Sequence, residues 1–361
     1  MASGPTGDAF YNAPAGTPSG KPGEVVWISP LVTQIPGAAG YKILYHSLSI
    51  SDKDIFVSGL LWVPDDVKTD APILSYSHGT TGLADSCAPS KTDGAGEAGA
   101  FAGLLLAKGY IVVATDYEGS GTPGVHPYVV GISEARGVLD AIRAARNLTG
   151  TAGKSLVWGH SQGGGSALFS AELAPTYAPD DLLVGSVAGA PAVELKLLAT
   201  ALRTSPFFGY IFQAAAGFHA AYPDVDLSQV LTDKGLEAVK VAENTCGDVH
   251  ELVRGKNADD YLKIDPASSE PWATYLEQNT PGNHPTNVPI FVYHGEKDEQ
   301  IPVIGSKLYF DRSCKTGGTQ VFRKTYPGES HVSVIAKAMP DIFAFMDDRL
   351  AGKTFVPTPC A

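Results

Sequence analysis

Two rhythms divide the sequence. Between residues 25 and 65, apolar and polar side chains alternate in three runs, 25–33, 41–49 and 55–63, with no helical period among them. Such runs predict antiparallel strands that open a sheet. Beyond Pro64, short wholly apolar stretches alternate with segments whose apolar residues recur every three to four positions. That alternation marks parallel βαβ units, whose strands are covered on both faces. It predicts strands at 72–76, 110–115, 155–158, 182–187, 289–293 and 320–326. Helices are predicted at 99–108, 133–147, 161–173 and 333–350. Ser133 is the expected N-cap of its helix, with Glu134 in the first turn and Val138, Leu139, Ile142 and Ala145 on one face.

Residues 193–288 break the alternation. They contain no convincing strand, read as helical and are rich in aromatic side chains. An unbroken loop of that length is improbable in a compact domain, so the segment is expected to be a helical cap or lid inserted into a core made of residues 24–192 and 289–361. Residues 1–23 carry Pro5, Pro14, Pro18 and Pro22 and are expected to form an extended N-terminal arm. The fold class is therefore α/β, with a mostly parallel central sheet and helices on both faces.

Composition narrows the possible partners. A formal net charge of −12 repels phosphate backbones and anionic lipid surfaces, so no nucleic-acid partner is expected, whereas neutral substrates are unaffected. No apolar run reaches the roughly 20 residues of a membrane span, so integral membrane association is not expected. The longest run, 206–222, is interrupted by Gln213, Gly217 and His219. The start, Met1-Ala2-Ser3-Gly4-Pro5, lacks the basic and apolar segments of a signal peptide. That start fits an intracellular protein as well as a mature secreted form with an added Met1. Cys87, Cys246, Cys314 and Cys360 form no C-x-x-C pair. Four widely spaced cysteines fit two long-range disulfides in an oxidising compartment, or four separate buried thiols. His46, His126, His219, His250, His284 and His294 lie singly, without metal-ligand spacing, so no metal is expected.

The chemistry is carried by Gly159-His160-Ser161-Gln162-Gly163, which follows an apolar strand and precedes a helix. A nucleophile elbow needs that context: a strand, a turn too tight for a Cβ at either flank, and a helix starting at the nucleophile. The fold built around such an elbow is the α/β-hydrolase fold, in which the acid and then the histidine follow the nucleophile. Ser161 needs a base, and His331 is placed for it, after the strand at 320–326 and before the last helix. Asp298 is the expected acid, on the loop His294-Gly295-Glu296-Lys297-Asp298 after the preceding strand, with Glu296 and Glu299 as competitors. The oxyanion hole is assigned to the backbone amides of Gln162 and Thr80, with Thr81 the neighbouring choice for the second. His78 and His160 are expected to brace loops, and Asp116, near Glu118, to stabilise a turn. Phe207 and Phe208 point about 100° apart on a helix, so one of them, or Phe212, is expected to face the cleft above Ser161 as a substrate-binding residue.

Several stretches together resemble the secretory lipase family typified by lipase A. They are residues 76–82 around His78-Gly79, Ser86-Cys87-Ala88-Pro89-Ser90, residues 114–119 around Asp116, the elbow from Trp158 to Gly164, and Ala174-Pro175-Thr176-Tyr177-Ala178-Pro179. The resemblance implies an α/β-hydrolase core with an inserted cap, export from the cell, and hydrolysis of acyl esters without a cofactor. It also implies pairing of Cys87 with Cys246 and of Cys314 with Cys360, tying the oxyanion-side loop to the cap and the acid loop to the tail. The expected substrates are short- to medium-chain acyl esters, with triglycerides and polyesters as further classes, acted on by a monomer. An amidase, peptidase or acyltransferase using the same triad is the alternative.

Overall fold

A computed structural model describes residues 2–92, 96–247, 249–317 and 320–360; Met1 and the side chain of His250 lie outside the described part. The three alternating runs become β1 (Val25–Pro30), β2 (Ala38–Leu48) and β3 (Asp54–Pro64), paired antiparallel in sequence order. The apolar runs become β4 (Ile73–Ser77), β5 (Ile111–Thr115), β6 (Ser155–His160), β7 (Leu183–Gly189), β8 (Ile290–Gly295) and β9 (Val321–Tyr326). Among the described residues these nine strands form one sheet in the order β1-β2-β3-β5-β4-β6-β7-β8-β9, parallel from β5 to β9. From β4 the chain crosses to β5 on one side and then returns to β6 on the other. That reversal opens a crevice at the carboxyl ends of β4 and β6, where α/β sheets bind ligands.

Helices α1 (Glu97–Leu106), α2 (Gly131–Thr149) and α3 (Gln162–Tyr177) follow β4, β5 and β6. Two apolar clusters cover the sheet. One joins α2 and α3 to Ile73, Val113 and Val157; the other joins α1 and the last helix to Leu74, Trp158 and Phe291. Adjacent strand residues thus point into opposite clusters, which is why these strands are apolar throughout.

Between β7 and β8 the chain forms α4 (Leu195–Leu202), α5 (Tyr210–Ala221), α6 (Leu227–Val230), α7 (Asp233–Glu243), α8 (His250–Val253) and α9 (Trp272–Gln278). This insertion has its own apolar cluster, which also takes in Leu83, Tyr128 and Ile301 from loops of the core. After β8 come α10 (Ile304–Thr316) and, beyond β9, α11 (Ser333–Leu350). Among the described residues no helix is long and apolar enough to cross a membrane.

Three expectations need correcting, and one helix lies outside the predicted ones. The helix expected to begin at Ser133 starts at Gly131 without a side-chain cap, because the Ser133 hydroxyl is drawn to the Glu118 carboxylate at 2.5 Å instead. The N-terminal arm is docked rather than simply extended. A 3₁₀ turn (Gly7–Tyr11) buries Phe10 and Tyr11 against Trp27 and Leu44. Helix α10 is not predicted by the apolar period, since it buries only Gly305, Ser306, Tyr309 and Ser313 and shows no apolar stripe. Both disulfides, Cys87–Cys246 and Cys314–Cys360, are closed. Cys314 sits on α10, so the second bridge ties that helix, not the acid loop, to the tail.

Candidate active site

The site assembles at the carboxyl ends of β4, β6, β8 and β9. Ser161 follows β6 directly and holds φ 61° and ψ −120°, a left-handed conformation that costs a non-glycine residue energy and tightens the turn. The flanking glycines make that turn possible. A Cβ on Gly159 would lie 2.1 Å from the Gly163 carbonyl oxygen, and one on Gly163 would lie 1.9 Å from the Ser77 carbonyl oxygen. The elbow is thus pressed against the end of β4, beside the loop that carries Thr80.

His331 Nδ1 lies 2.7 Å from Asp298 Oδ2, and the carboxylate is wholly enclosed. Its Oδ1 accepts the backbone N–H groups of Gln300 (2.9 Å) and Ile301 (2.8 Å). Burial pushes the Asp298 pKa up, but hydrogen bonds from His294 and His331, with their charges, outweigh it and hold the carboxyl below its ordinary range. Of the competing acids, Glu296 is exposed and accepts the Thr325 hydroxyl, while Glu299 accepts the backbone N–H of His331 at 3.2 Å. Neither meets the imidazole. Among the described residues no hydrogen bond joins Ser161 Oγ to His331 Nε2; such contacts often tighten only around bound substrate.

His160 packs its ring 4.7 Å from that of His331 and places Nδ1 3.2 Å from the Tyr293 hydroxyl. Burial, and next the charge of His331, hold its pKa well below the usual imidazole value, so it is a neutral neighbour of His331. On the loop after β4, Gly79 is pinned twice. Its N–H donates to Glu97 Oε2 at 2.8 Å and its carbonyl meets His78 Nδ1 at 2.6 Å. Thr80 follows on that fixed backbone. Asp116 accepts Ser58 Oγ (2.6 Å), the Ser90 N–H (3.0 Å) and the Ser90 hydroxyl, well away from Glu118 in its bonding.

Thr80, Ser161 and Ile301 line a cavity of about 70 Å³ whose other walls are mainly aliphatic and aromatic, among them Leu198, Ala215 and Phe218 of the insertion. Phe207, Phe208 and Phe212 do not line it, which corrects the expectation for the aromatic run. Phe212 and Phe208 are buried with Tyr261 inside the insertion, and Phe207 packs partly against the same cluster. Helix α5 turns the Ile211, Ala214, Ala215 and Phe218 face to the cavity instead. Adjacent aromatic residues mark the helix but not which of its faces meets the core.

Three residues at the site are not singled out by the sequence. His294, expected to be an isolated loop residue, directs Nε2 at Asp298 Oδ2 (3.1 Å) and the Ile301 carbonyl (3.0 Å), so the Asp298 carboxylate is held between two imidazoles. Its position four residues before Asp298 was the available signal. Glu134 is buried in the first turn of α2. Its carboxylate accepts Gln162 Nε2 (2.8 Å), the Val129 N–H (2.9 Å) and Ser166 Oγ (2.5 Å). Burial raises its pKa to about 7 despite those donors. His126 completes the group with Nε2 2.9 Å from Gln162 Nε2, its pKa driven to about 3 by burial. A neutral imidazole with Nδ1–H on the Glu118 carbonyl leaves Nε2 free to accept that amide.

With this geometry in place, the sequence profile of the secretory lipases matches residues 100–358. The chain belongs to the secretory lipase family. This family member is 30% identical to a secreted triacylglycerol lipase of Malassezia globosa, over 97% of the chain and 82% of that protein. It is 25% identical to lipase A of Moesziomyces aphidis, over 91% and 76%. Its fold is that of Candida antarctica lipase A in its closed state (TM-score 0.85, 23% identity, 97% and 88% of the two chains). The rice cell wall degrading esterase LipA of Xanthomonas oryzae shares that fold too (TM-score 0.76, 19% identity, 93% and 100%). The α/β-hydrolase fold and family make the protein a carboxylic ester hydrolase, and its two disulfides accord with export to an oxidising compartment.

Proposed function

We propose that this secreted, monomeric enzyme cleaves short- to medium-chain acyl esters through an acyl-enzyme on Ser161. The observation that carries the reading is the Asp298–His331 pair on strand-end loops beside a strained serine that opens on an apolar cavity. His331 Nε2 takes the Ser161 proton as Oγ attacks the ester carbonyl. The backbone N–H groups of Gln162 and Thr80 hold the oxygen that becomes anionic; among the described residues neither donates a hydrogen bond elsewhere. Asp298 fixes the imidazole with its proton on Nδ1 and stabilises the cation. His331 then protonates the departing alcohol, and water repeats the sequence on the acyl-enzyme.

The apolar lining of the cavity supports binding of an acyl chain there, with the alcohol left toward solvent. The insertion supplies most of its wall and so acts as a cap. Glycerides are the first natural substrates to try, given what the Malassezia relative is named for, and polyesters the second. The test is initial rates on p-nitrophenyl esters of increasing chain length, on matched anilides and on emulsified triglyceride, with fluorophosphonate labelling of wild type and Ser161→Ala. The expected result is a rate maximum at short to medium chains and label on Ser161 alone. Equal rates on anilides, or labelling that survives Ser161→Ala, would overturn the proposal.

A further inference from the structure

The wall of the cavity that Ser161 lines also holds a hydroxyl pair that the proposed triad and the two amides do not use. Thr80 Oγ1 and the phenol of Tyr128 are 2.6 Å apart, and both residues line the cavity. Two hydroxyls carry two protons, and one hydrogen bond between them uses one. Among the described residues neither oxygen has a second hydrogen-bond partner. One proton therefore points into an apolar cavity without an acceptor, which is costly unless a ligand atom accepts it. Burial, the largest cause, holds the Tyr128 pKa far above its ordinary value, so the residue is a phenol and a donor.

Both members are held in place. Thr80 follows Gly79, whose N–H and carbonyl are both engaged. Tyr128 donates its N–H to the His126 carbonyl at 2.7 Å, and its neighbour Val129, at φ 55°, donates to Glu134. Helix α5 lies directly on this segment. A Cβ on Gly217 would come 2.4 Å from the Tyr128 nitrogen, so only glycine lets the helix approach so closely. A donor fixed this firmly before the substrate arrives needs no reorganisation during reaction, which makes it effective toward developing charge.

We propose that the Thr80 hydroxyl is a third oxyanion donor and that Tyr128 is its positioning residue. Tyr128 donates to Thr80 Oγ1, and the Thr80 O–H then donates to the substrate carbonyl oxygen. As the Ser161 Oγ–carbon bond forms, the carbonyl π pair moves onto that oxygen and the serine proton goes to His331. Thr80 and Tyr128 transfer no proton; their hydrogen bonds strengthen and relax as the tetrahedral species forms and collapses. This inference rests on the serine mechanism proposed above and adds a side-chain donor to its two amides.

The experiment compares wild type, T80V, T80S, Y128F, T80V/Y128F and S161A on a p-nitrophenyl ester. Binding of an alkyl trifluoromethyl ketone, an oxyanion mimic, is measured beside binding of the alcohol of the same chain. T80V is expected to lower kcat by about 100-fold with little change in KM, the size of loss typical for one oxyanion donor. T80S restores most of the rate, Y128F loses about tenfold, and the double variant is no worse than T80V because the two act as one unit. The ketone should lose affinity in step with kcat/KM while the alcohol does not, a split that mere loss of packing would not produce. Wild-type kcat in T80V or in Y128F, with S161A inactive, overturns the inference and leaves the serine mechanism standing. Activity in S161A overturns the mechanism itself. If T80V fails to fold, Y128F and T80S, which both keep a hydroxyl at position 80, decide the matter through the ketone-to-alcohol split: a split in Y128F that T80S lacks supports the inference, and no split in Y128F overturns it.

Discussion

Asp298 meets two imidazoles, and the two contacts carry different expectations. Ser161→Ala and His331→Ala should each lower kcat by on the order of 10⁶ and Asp298→Asn by roughly 10⁴, all three remaining folded. Glu299→Gln should leave kcat within about a few-fold, since among the described residues its carboxylate accepts the His331 N–H and not the imidazole. If Glu299→Gln loses activity as Asp298→Asn does, the acid is misassigned. Glu134 gives a separate signature. Its folded pKa of about 7 lies above the ordinary 4.5, so between those values the folded state binds the extra proton. Wild-type stability is therefore eroded by this group as pH rises through the window, and the loss is complete above about pH 7. Glutamine does not titrate. Melting curves of Glu134→Gln should thus shift in the variant's favour, relative to wild type, by up to about 3 kcal/mol from pH 4.5 to above 7. A difference independent of pH would show that Glu134 is not the buried acid described.

Among the elements, α5 presents two faces with different work. Phe208, just before it, and Phe212 are buried with Tyr261, so Phe208→Ala or Phe212→Ala should cost about 3–5 kcal/mol and leave the preference for acyl length unchanged. Ala214 and Ala215 look into the cavity. Leucine at either position should shorten it and shift kcat/KM from medium toward short esters by roughly 10–200-fold. Rates on a short and a medium ester, beside melting temperatures, check both expectations. A selectivity change in Phe212→Ala without one in Ala215→Leu would reverse the assignment of faces.

The two disulfides span the whole chain differently. Cys87–Cys246 joins residues 159 apart and Cys314–Cys360 residues 46 apart, so removing the first should cost roughly 1 kcal/mol more within losses of about 2–5 kcal/mol each. The first also lies beside the loop that carries Thr80: Gly82 bridges to Cys246, and the Gly247 N–H donates to the Thr81 carbonyl at 2.6 Å. Its double serine variant should therefore lose kcat as well as melting temperature, whereas Cys314→Ser/Cys360→Ser should lose only the latter. Equal kcat in both variants would separate the bridge from the site.

The order of the strands, four of the core helices, the helical insertion before β8 and the loops that carry Ser161, Asp298 and His331 were legible in the linear chain. Apolar period, turn residues and the G-x-S-x-G context are local consequences of backbone geometry, and local rules read them. Loop spacing pointed to Asp298, the carboxylate that meets the His331 imidazole, over Glu296 and Glu299, although it did not show His294 as its second partner. Helix α10 escaped because it buries few apolar side chains and so leaves no stripe to detect. The face of α5 turned to the cavity, the Glu134–Gln162–His126 group and the Thr80–Tyr128 pair depend on which distant segments come to lie together. The hydrogen-bonded partners of Gln162 and of Thr80 stand 28 to 48 residues away in sequence, and Gly217 packs on Tyr128 from farther still. Their meeting follows from close packing of helix on sheet and insertion on core, where one glycine such as Gly217 decides how near two backbones come. No local period carries that information.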